Sequence, residues 1–371
     1  MYKPKRTILT AGPSITKKEI TYVTDAVKNG WNFHFNDYVE KFEKAVASYI
    51  GVKHAMATSS GTGALHLSIL AMGINEGDEV ILPEISAVAS ANVITYVRAK
   101  PVFVDVEKDT WCIDPKSFKK AITKKTKAVM PVHLYGHPAN MDEINKIAKE
   151  YGLYVLEDAC PSLGALYKYK KTGSLGDMAA FSFQGAKIAA IGEGGMLVTN
   201  NSSLFEKATY IADLGRDRTK GAFWHAIIGY KYRMANIQAA LGLAQVERIE
   251  ELIEKKREIF QWYFKRLKDI KKISMNVENE GVKNIYWMTS IVLNKKSSIT
   301  RDQLMLELKK RMIDTRPFFF PFSMLPMYKT AVKNPNAYSI ALNGINLPSG
   351  VNLTEEEVDY ICTTVKNILR S

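Results

Sequence analysis

Cysteine is scarce: Cys112, Cys160 and Cys362 are the only three in 371 residues, widely spaced and without a Cys-x-x-Cys pair. That spacing suggests neither a disulfide framework nor a zinc site, and a reducing cytoplasm is the expected compartment. No apolar run approaches the roughly 18 residues that a membrane span needs. Met1 to Pro13 carries Lys3, Lys5 and Arg6 but no apolar stretch of the length a secretory leader uses. Neither a membrane protein nor an exported one is expected. Internal repeats and low-complexity tracts are missing too, and no Gly-x-Gly-x-x-Gly follows the first candidate strand, which disfavours a simple dinucleotide-binding dehydrogenase. Acid is in deficit, with 51 Lys and Arg against 38 Asp and Glu, a net charge of +13. The bases are nevertheless interleaved with glutamates. The densest group, Lys119, Lys120, Lys124, Lys125 and Lys127, reads as the solvated face around one helix, so phosphorylated small molecules are expected partners and nucleic acid is not.

What is present is ordinary for a globular chain: 46% hydrophobic and 24% charged residues. The length favours two domains, a large one over residues 1–248 with an N-terminal arm and a small one over 249–371. Between Lys53 and Asn200, short β-branched runs alternate with helical patterns, the signature of crossover units and a mostly parallel seven-stranded α/β sheet. The strands are expected at His54 to Thr58, Glu79 to Pro83, Val102 to Val106, Ala128 to His133, Tyr154 to Asp158, Met178 to Phe183 and Met196 to Asn200. Helices read clearly at Gly63 to Met72 and at Met141 to Tyr151, the latter capped by Asn140. A long helical pattern runs from Asn236 to about Leu267. Beyond it a strand at Ile285 to Leu293, a helix at Thr300 to Met312, an aromatic loop and a closing helix from Thr354 make an α+β unit.

In such sheets ligands bind beyond the carboxyl ends of the strands. Asp158 closes one strand there, Lys187 follows another, and Ser59-Ser60-Gly61-Thr62-Gly63 joins a third to its helix. Lys187 stands between apolar runs, Phe181-Ser182-Phe183 and Ile188-Ala189-Ala190-Ile191, where desolvation favours a neutral, nucleophilic amine; a lysine snorkelling from the end of a buried strand fits the same context. The glycine turn can cradle a phosphate at a helix N-terminus or serve as a tight connection.

Five stretches carry a resemblance to a known family: Ser60-Gly61-Thr62-Gly63-Ala64-Leu65-His66-Leu67, Pro131-Val132-His133-Leu134-Tyr135-Gly136-His137, Glu157-Asp158-Ala159, Gly192-Glu193-Gly194-Gly195, and Gly229-Tyr230-Lys231-Tyr232-Arg233-Met234-Ala235-Asn236. Over nearly the whole chain the sequence resembles the DegT/DnrJ/EryC1/StrS family of pyridoxal-phosphate sugar aminotransferases, which implies the type I, aspartate-aminotransferase-like fold. Thr315-Arg316-Pro317-Phe318 and Gly344-Ile345-Asn346-Leu347-Pro348-Ser349 are similar to the perosamine-synthetase branch, which aminates carbon four of a nucleotide-linked 4-keto-6-deoxyhexose in surface polysaccharide synthesis. The resemblance implies that Lys187 bonds the aldehyde of pyridoxal 5'-phosphate and shuttles the proton, and that Asp158 faces the pyridine nitrogen. It implies too that Ser60, Gly61, Thr62 and Ser182 hold the phosphate, with Asn236 reaching that phosphate from the other subunit of a homodimer with shared sites. L-Glutamate is the implied amino donor and pyridoxamine 5'-phosphate the intermediate form.

The pattern breaks in places. Ala87 stands where the family carries an aromatic over the cofactor ring, Pro161 where a polar residue follows Asp158, and Gln184 and Ala186 where His and Asn are common. An altered pocket on an unaltered scaffold also suits a small phosphorylated ketone as acceptor. Trp224, His225, Arg233 and Phe320, the last within the Phe318-Phe319-Phe320-Pro321-Phe322 loop, are candidates for substrate contact; core or dimer packing is the plainer role for such aromatics. Two rival functions are a dehydratase, which needs histidine in place of Lys187, and a non-catalytic cofactor-binding regulator, which has no need of both Lys187 and Asp158.

Overall fold

The structure, a computed structural model, describes residues 4–331 and 334–370. One sheet has seven strands: β1 (His54–Thr58), β2 (Glu79–Pro83), β3 (Lys100–Val104), β4 (Thr126–Val129), β5 (Tyr154–Asp158), β6 (Met178–Ser182) and β7 (Gly195–Thr199), in the order β1-β7-β6-β5-β4-β2-β3. The pairings from β3 through β2, β4 and β5 to β6 are parallel. Those of β7 with β6 and β1 are antiparallel, so the last strand returns as a hairpin rather than through a crossover. β4 stops at Val129, short of the expected His133. Pro131 has no N–H to give the ladder, although its carbonyl still accepts from Asp158 N at 2.9 Å.

Helices cover both faces: α1 (Lys17–Asn29), α2 (Asp37–Ile50), α3 (Gly61–Ala71), α4 (Val88–Tyr96), α5 (Pro115–Ala121), α6 (Met141–Tyr151), α7 (Ser202–Ala212) and α8 (Asn236–Val246). Strand alternation feeds two cores. Met56, Val80, Leu82, Leu156 and Leu197 belong to the one that holds Leu65 and Leu67 of α3, Ala91 of α4 and Leu204 of α7. Ala57, Ile81, Val129, Val155 and Val198 belong to the other, with Phe42 of α2, Ile144 of α6 and Ala239 of α8. α3 is buried on nearly every side, as its apolar composition all round requires.

The run from Asn236 to Leu267 is two helices rather than one, α8 ending at Val246 and α9 (Ile249–Leu267) beginning after Arg248. The break is tertiary in origin. Arg248 pairs with the buried Glu19 of α1 at 2.6 Å and bonds Ser14, while Gln245 also donates to Glu19 at 2.7 Å. Thr16 and Glu19 form a capping box that starts α1; burial, the largest single influence on the Glu19 carboxyl, would raise its pKa, but the hydrogen bonds from Thr16 and Arg248 together outweigh it and hold the group down at about 2.

A second sheet, β8 (Ile273–Met275), β9 (Ser290–Leu293), β10 (Arg316–Pro317) and β11 (Gly344–Asn346), runs antiparallel in the order β8-β9-β11-β10. It packs with α10 (Arg301–Lys310), α11 (Pro335–Asn343) and α12 (Glu355–Arg370). β9 is shorter than the expected strand from Ile285. The Asn276 and Asn284 side chains take the backbone N–H groups of Ser290 and Tyr286, Tyr286 turns left-handed (φ 47°), and residues 284–289 loop out of the sheet.

Lys256 of α9 pins that loop. Only 4% exposed, it donates to Trp287 O at 2.8 Å and to Ser349 O. Burial lowers its pKa from 10.5 to about 7. The unfolded chain therefore binds more protons than the folded one between about pH 7 and 10.5, and stability gained from this group rises with pH across that window at about 1.4 kcal/mol per unit. In urea unfolding at pH 7 and pH 9, the stability difference between the parent and Lys256→Met should move in the parent's favour by about 2–3 kcal/mol at the higher pH. A pH-independent difference would rule this out.

Candidate active site

Three strand ends converge on one cleft. After β1, Ser60 caps α3 by accepting from Gly63 N at 3.0 Å, and the first-turn N–H groups of Gly61 and Thr62 lie outside the helical ladder. Gly195, the first residue of β7, lets this turn sit close: a Cβ there would come 2.3 Å from Ser60 O. At the end of β5, Asp158 is 3% exposed and accepts from Ser90 Oγ at 2.6 Å and Cys160 N at 3.2 Å. Ser86 Oγ bonds Ser90 Oγ at 3.0 Å. Its neighbour Glu157 has a different task. That carboxylate accepts from Gly173, Leu175 and Gly176 N–H and meets His133 Nε2 at 2.9 Å. His133 Nδ1 accepts from Ala139 N, so Nε2 carries the proton.

Beyond β6 a tight turn presents Lys187. Its N–H bonds Gln184 O at 2.7 Å, Gly185 N bonds Gly192 O, and Gln184 Oε1 accepts from Ala186 N. Gln184, one of the departures from the family pattern, therefore shapes the turn that carries the amine. The Lys187 Nζ lies 3.7 Å from the centroid of the Trp287 ring, whose Nε1 donates to Ala186 O at 2.8 Å. Burial lowers the Lys187 pKa, against the smaller opposing effects of Cys160 and Asp158, which favours the neutral amine.

The cleft, about 330 Å³, brings together Ser60, Gly61, Thr62, Ala87, Asp158, Ser182 and Lys187. Pro161 is buried and is not among the residues lining it; Ser90 and the Cys160 N–H supply polar contacts to Asp158. Asn236 and Arg233 line another cavity of about 680 Å³, with Trp31, Phe35 and Lys231. Within its own chain Asn236 accepts from Tyr38 N at 2.9 Å, and Arg233 approaches Glu43 at 3.5 Å. Trp224 and His225 sit exposed on the excursion between α7 and α8, where His225 Nδ1 meets Leu214 O. Phe320 is half exposed beside Arg301, while its neighbour Phe319 lines the cleft. Phe319 belongs to the aromatic loop that sequence reading named for substrate contact; Ser90, Trp287, Tyr135, Arg316 and Asn346 were not singled out as site residues, and the last four all line the cleft. The signal available for Ser90 was a small hydroxyl in the first turn of the helix after β2.

The chemistry of these donors fits pyridoxal phosphate end to end. Free N–H groups and the Thr62 and Ser182 hydroxyls suit a phosphate, a buried carboxylate suits a protonated ring nitrogen, and an amine with lowered pKa suits an aldehyde. Fold and site together define a pyridoxal-phosphate-dependent aminotransferase of the type I fold. Residues 13–366 match the sequence model of the DegT/DnrJ/EryC1/StrS aminotransferase family, and the chain belongs to that family. It is 42% identical over 354 residues to the GDP-perosamine synthase of Escherichia coli O157:H7, covering 95% of this chain and 96% of that one. It is 40% identical over 366 residues to the GDP-perosamine synthase of Caulobacter vibrioides, covering 98% of each. Spr1654 of Streptococcus pneumoniae, assigned as a sugar aminotransferase and solved in its PMP form, superposes with a TM-score of 0.91 at 28% identity, covering 98% of each chain.

Proposed function

We propose that this aminotransferase moves the amino group of L-glutamate to carbon four of a nucleotide-linked 4-keto-6-deoxyhexose, in the manner of a perosamine synthase, for surface polysaccharide synthesis. The carrying observation is that the Lys187 amine and the Asp158 carboxylate line a single cleft. The names of the full-length relatives near 40% identity support the sugar and point to GDP as its carrier.

When bound, pyridoxal phosphate supplies an electrophilic carbonyl and a ring that accepts electrons. Gly61, Thr62, Ser60 and Ser182 hold its phosphate. Asp158, oriented by Ser90, keeps the ring nitrogen protonated. Lys187 withdraws the proton from the donor's Cα and returns one to carbon four of the acceptor. Trp287, packed over the Lys187 Nζ, excludes water from the amine.

The active unit in this reading is a cytoplasmic homodimer with shared sites, each chain divided near residue 248 into a cofactor-binding unit and a smaller one. Asn236 and Arg233 would then complete the partner's phosphate and substrate contacts from their own cavity. The exposed Trp31, Phe33, Phe35, Trp224 and Ile228 support a covered face nearby. A panel of nucleotide-linked 4-keto-6-deoxy sugars and small phosphorylated ketones, each with L-glutamate, tests the substrate. Amination confined to the phosphorylated ketones would overturn the sugar assignment.

Ala87 stands where the family carries an aromatic, so a bound cofactor would lack a stacking partner from this position. Ala87→Phe should tighten cofactor retention about five-fold, from about 1 kcal/mol of ring stacking, as read by dialysis against buffer without cofactor.

A further inference from the structure

A separate cavity of about 350 Å³ is lined by His137, two residues beyond the Tyr135 that lines the cofactor cleft. Although the chain carries a net charge of +13, four carboxylates line this cavity, those of Glu107, Asp142, Glu143 and Glu280, against a single lysine, Lys168. Lys168 is taken by Asp142. Glu107, Glu143 and Glu280 are left without a basic group at ion-pairing distance among the described residues. Glu107, half-buried, takes one side-chain hydrogen bond, from Thr110 Oγ1 at 2.7 Å. Burial, helped by Asp114 and Asp109 and opposed by the Thr110 bond, raises its pKa, so a cation beside this carboxylate relieves the most.

His137 supplies an observation of a different kind. It is 4% exposed, and its Nδ1 meets Pro138 O at 2.7 Å. A carbonyl oxygen only accepts, so Nδ1 carries the proton and Nε2 presents a bare lone pair. That Nε2 is buried and has no hydrogen-bond partner. Burial lowers the imidazole's pKa to about 4, against the smaller effect of the Pro138 carbonyl, and the nitrogen stays unprotonated near neutral pH. A buried acceptor without a donor is costly and marks the place of a donor that the chain does not supply.

We infer that this cavity binds an aliphatic polyamine, whose ammonium groups donate to His137 Nε2 and to the carboxylates of Glu107, Glu143 and Glu280. Each of these groups accepts, and an ammonium only donates. A metal ion fits less well. Among the described residues no three His, Cys, Asp or Glu side chains are gathered closely enough to hold one. Acceptors spread around a cavity suit charges spread along a chain. Phosphorylated ligands are repelled by the same carboxylates, which separates this cavity from the chemistry of the cofactor cleft.

Spermidine is titrated by calorimetry into the full-length, cofactor-loaded protein at physiological ionic strength, with butylamine and magnesium chloride as comparisons. The parent should show one saturable spermidine site, at least about ten-fold tighter than butylamine, because only the longer amine engages separated carboxylates at once. Glu107→Gln should raise the spermidine Kd about ten-fold and His137→Phe about five-fold. Glu307→Gln, which removes the same charge from α10 outside the cavity, should change it by less than about two-fold. Glu107→Gln keeps the size of the side chain, so its result stands even where His137→Phe fails to fold. No saturable spermidine binding by the parent, an unchanged Kd in Glu107→Gln, equal losses in Glu107→Gln and Glu307→Gln, or magnesium binding tighter than spermidine would each overturn the assignment. Neither amino donor nor acceptor takes part in the titration, so a failure of the keto-sugar assignment leaves its result intact.

Discussion

Lys187→Ala protein should fold, retain the cofactor and transfer amino groups at least about 10³-fold more slowly than the parent, with the absorbance band of lysine-bound cofactor gone. The size follows from two losses in one residue. In the proposed mechanism the amine that captures the carbonyl disappears, and so does the base that moves the proton between substrate carbon and cofactor. Little stability should be lost with it. Lys187 follows a turn held by backbone bonds from Gly185 and Ile191 and by Gln184, none of which needs the amine. Trp287 would lose the amine packed over its ring, a contact worth about 1–2 kcal/mol at most. Rapid mixing with L-glutamate separates the outcomes. A variant that still converts bound cofactor to the amino form at near the parental rate removes Lys187 from the chemistry.

The part of the site legible in sequence is the part built locally. Asp158 and Lys187 follow strands whose apolar runs are unmistakable, and the Ser60 to Gly63 turn joins a strand to an apolar helix, so their approach follows from the sheet alone. Ser90 could be seen as a helix-start residue, but its bond to Asp158 spans 68 positions and depends on β2 and β5 being separated only by β4. Trp287 is a stronger case. Its stretch has the composition of a strand, and it enters the cleft because Asn276, Asn284 and Lys256 draw the backbone out of the ladder. The same reasoning covers the break between α8 and α9, which the Arg248–Glu19 pair imposes across 229 positions. α1 and α2 were legible and passed over. Thr16-Lys17-Lys18-Glu19 is a capping box by spacing, and Gly51 ends α2 in the left-handed conformation.

Asp158→Asn is the second large effect, and it isolates charge from shape. The amide keeps the size of the carboxylate but, in the proposed mechanism, could no longer hold a proton on the ring nitrogen, so electrons released at the substrate carbon would find a poorer sink. Removing one member of a buried charge pair costs about 3–5 kcal/mol, which corresponds to a fall in turnover of about 10²–10⁴-fold, with weaker cofactor retention. The Ser90 contact refines the prediction. Its hydroxyl donates to the carboxylate at 2.6 Å and is itself bonded to Ser86, so it orients Asp158 without touching the reacting atoms. Ser90→Ala should therefore cost about ten-fold, and Ser90→Thr should restore most of that loss. The cofactor's absorbance as a function of pH distinguishes this from a folding defect. In Ser90→Ala the carboxylate loses the bond that aims it, its alignment with the ring nitrogen weakens, and that nitrogen should give up its proton at lower pH than in the parent. An unchanged titration alongside a ten-fold loss of rate would mean that Ser90 acts through packing, and an unchanged rate in Asp158→Asn would remove the carboxylate from the reaction.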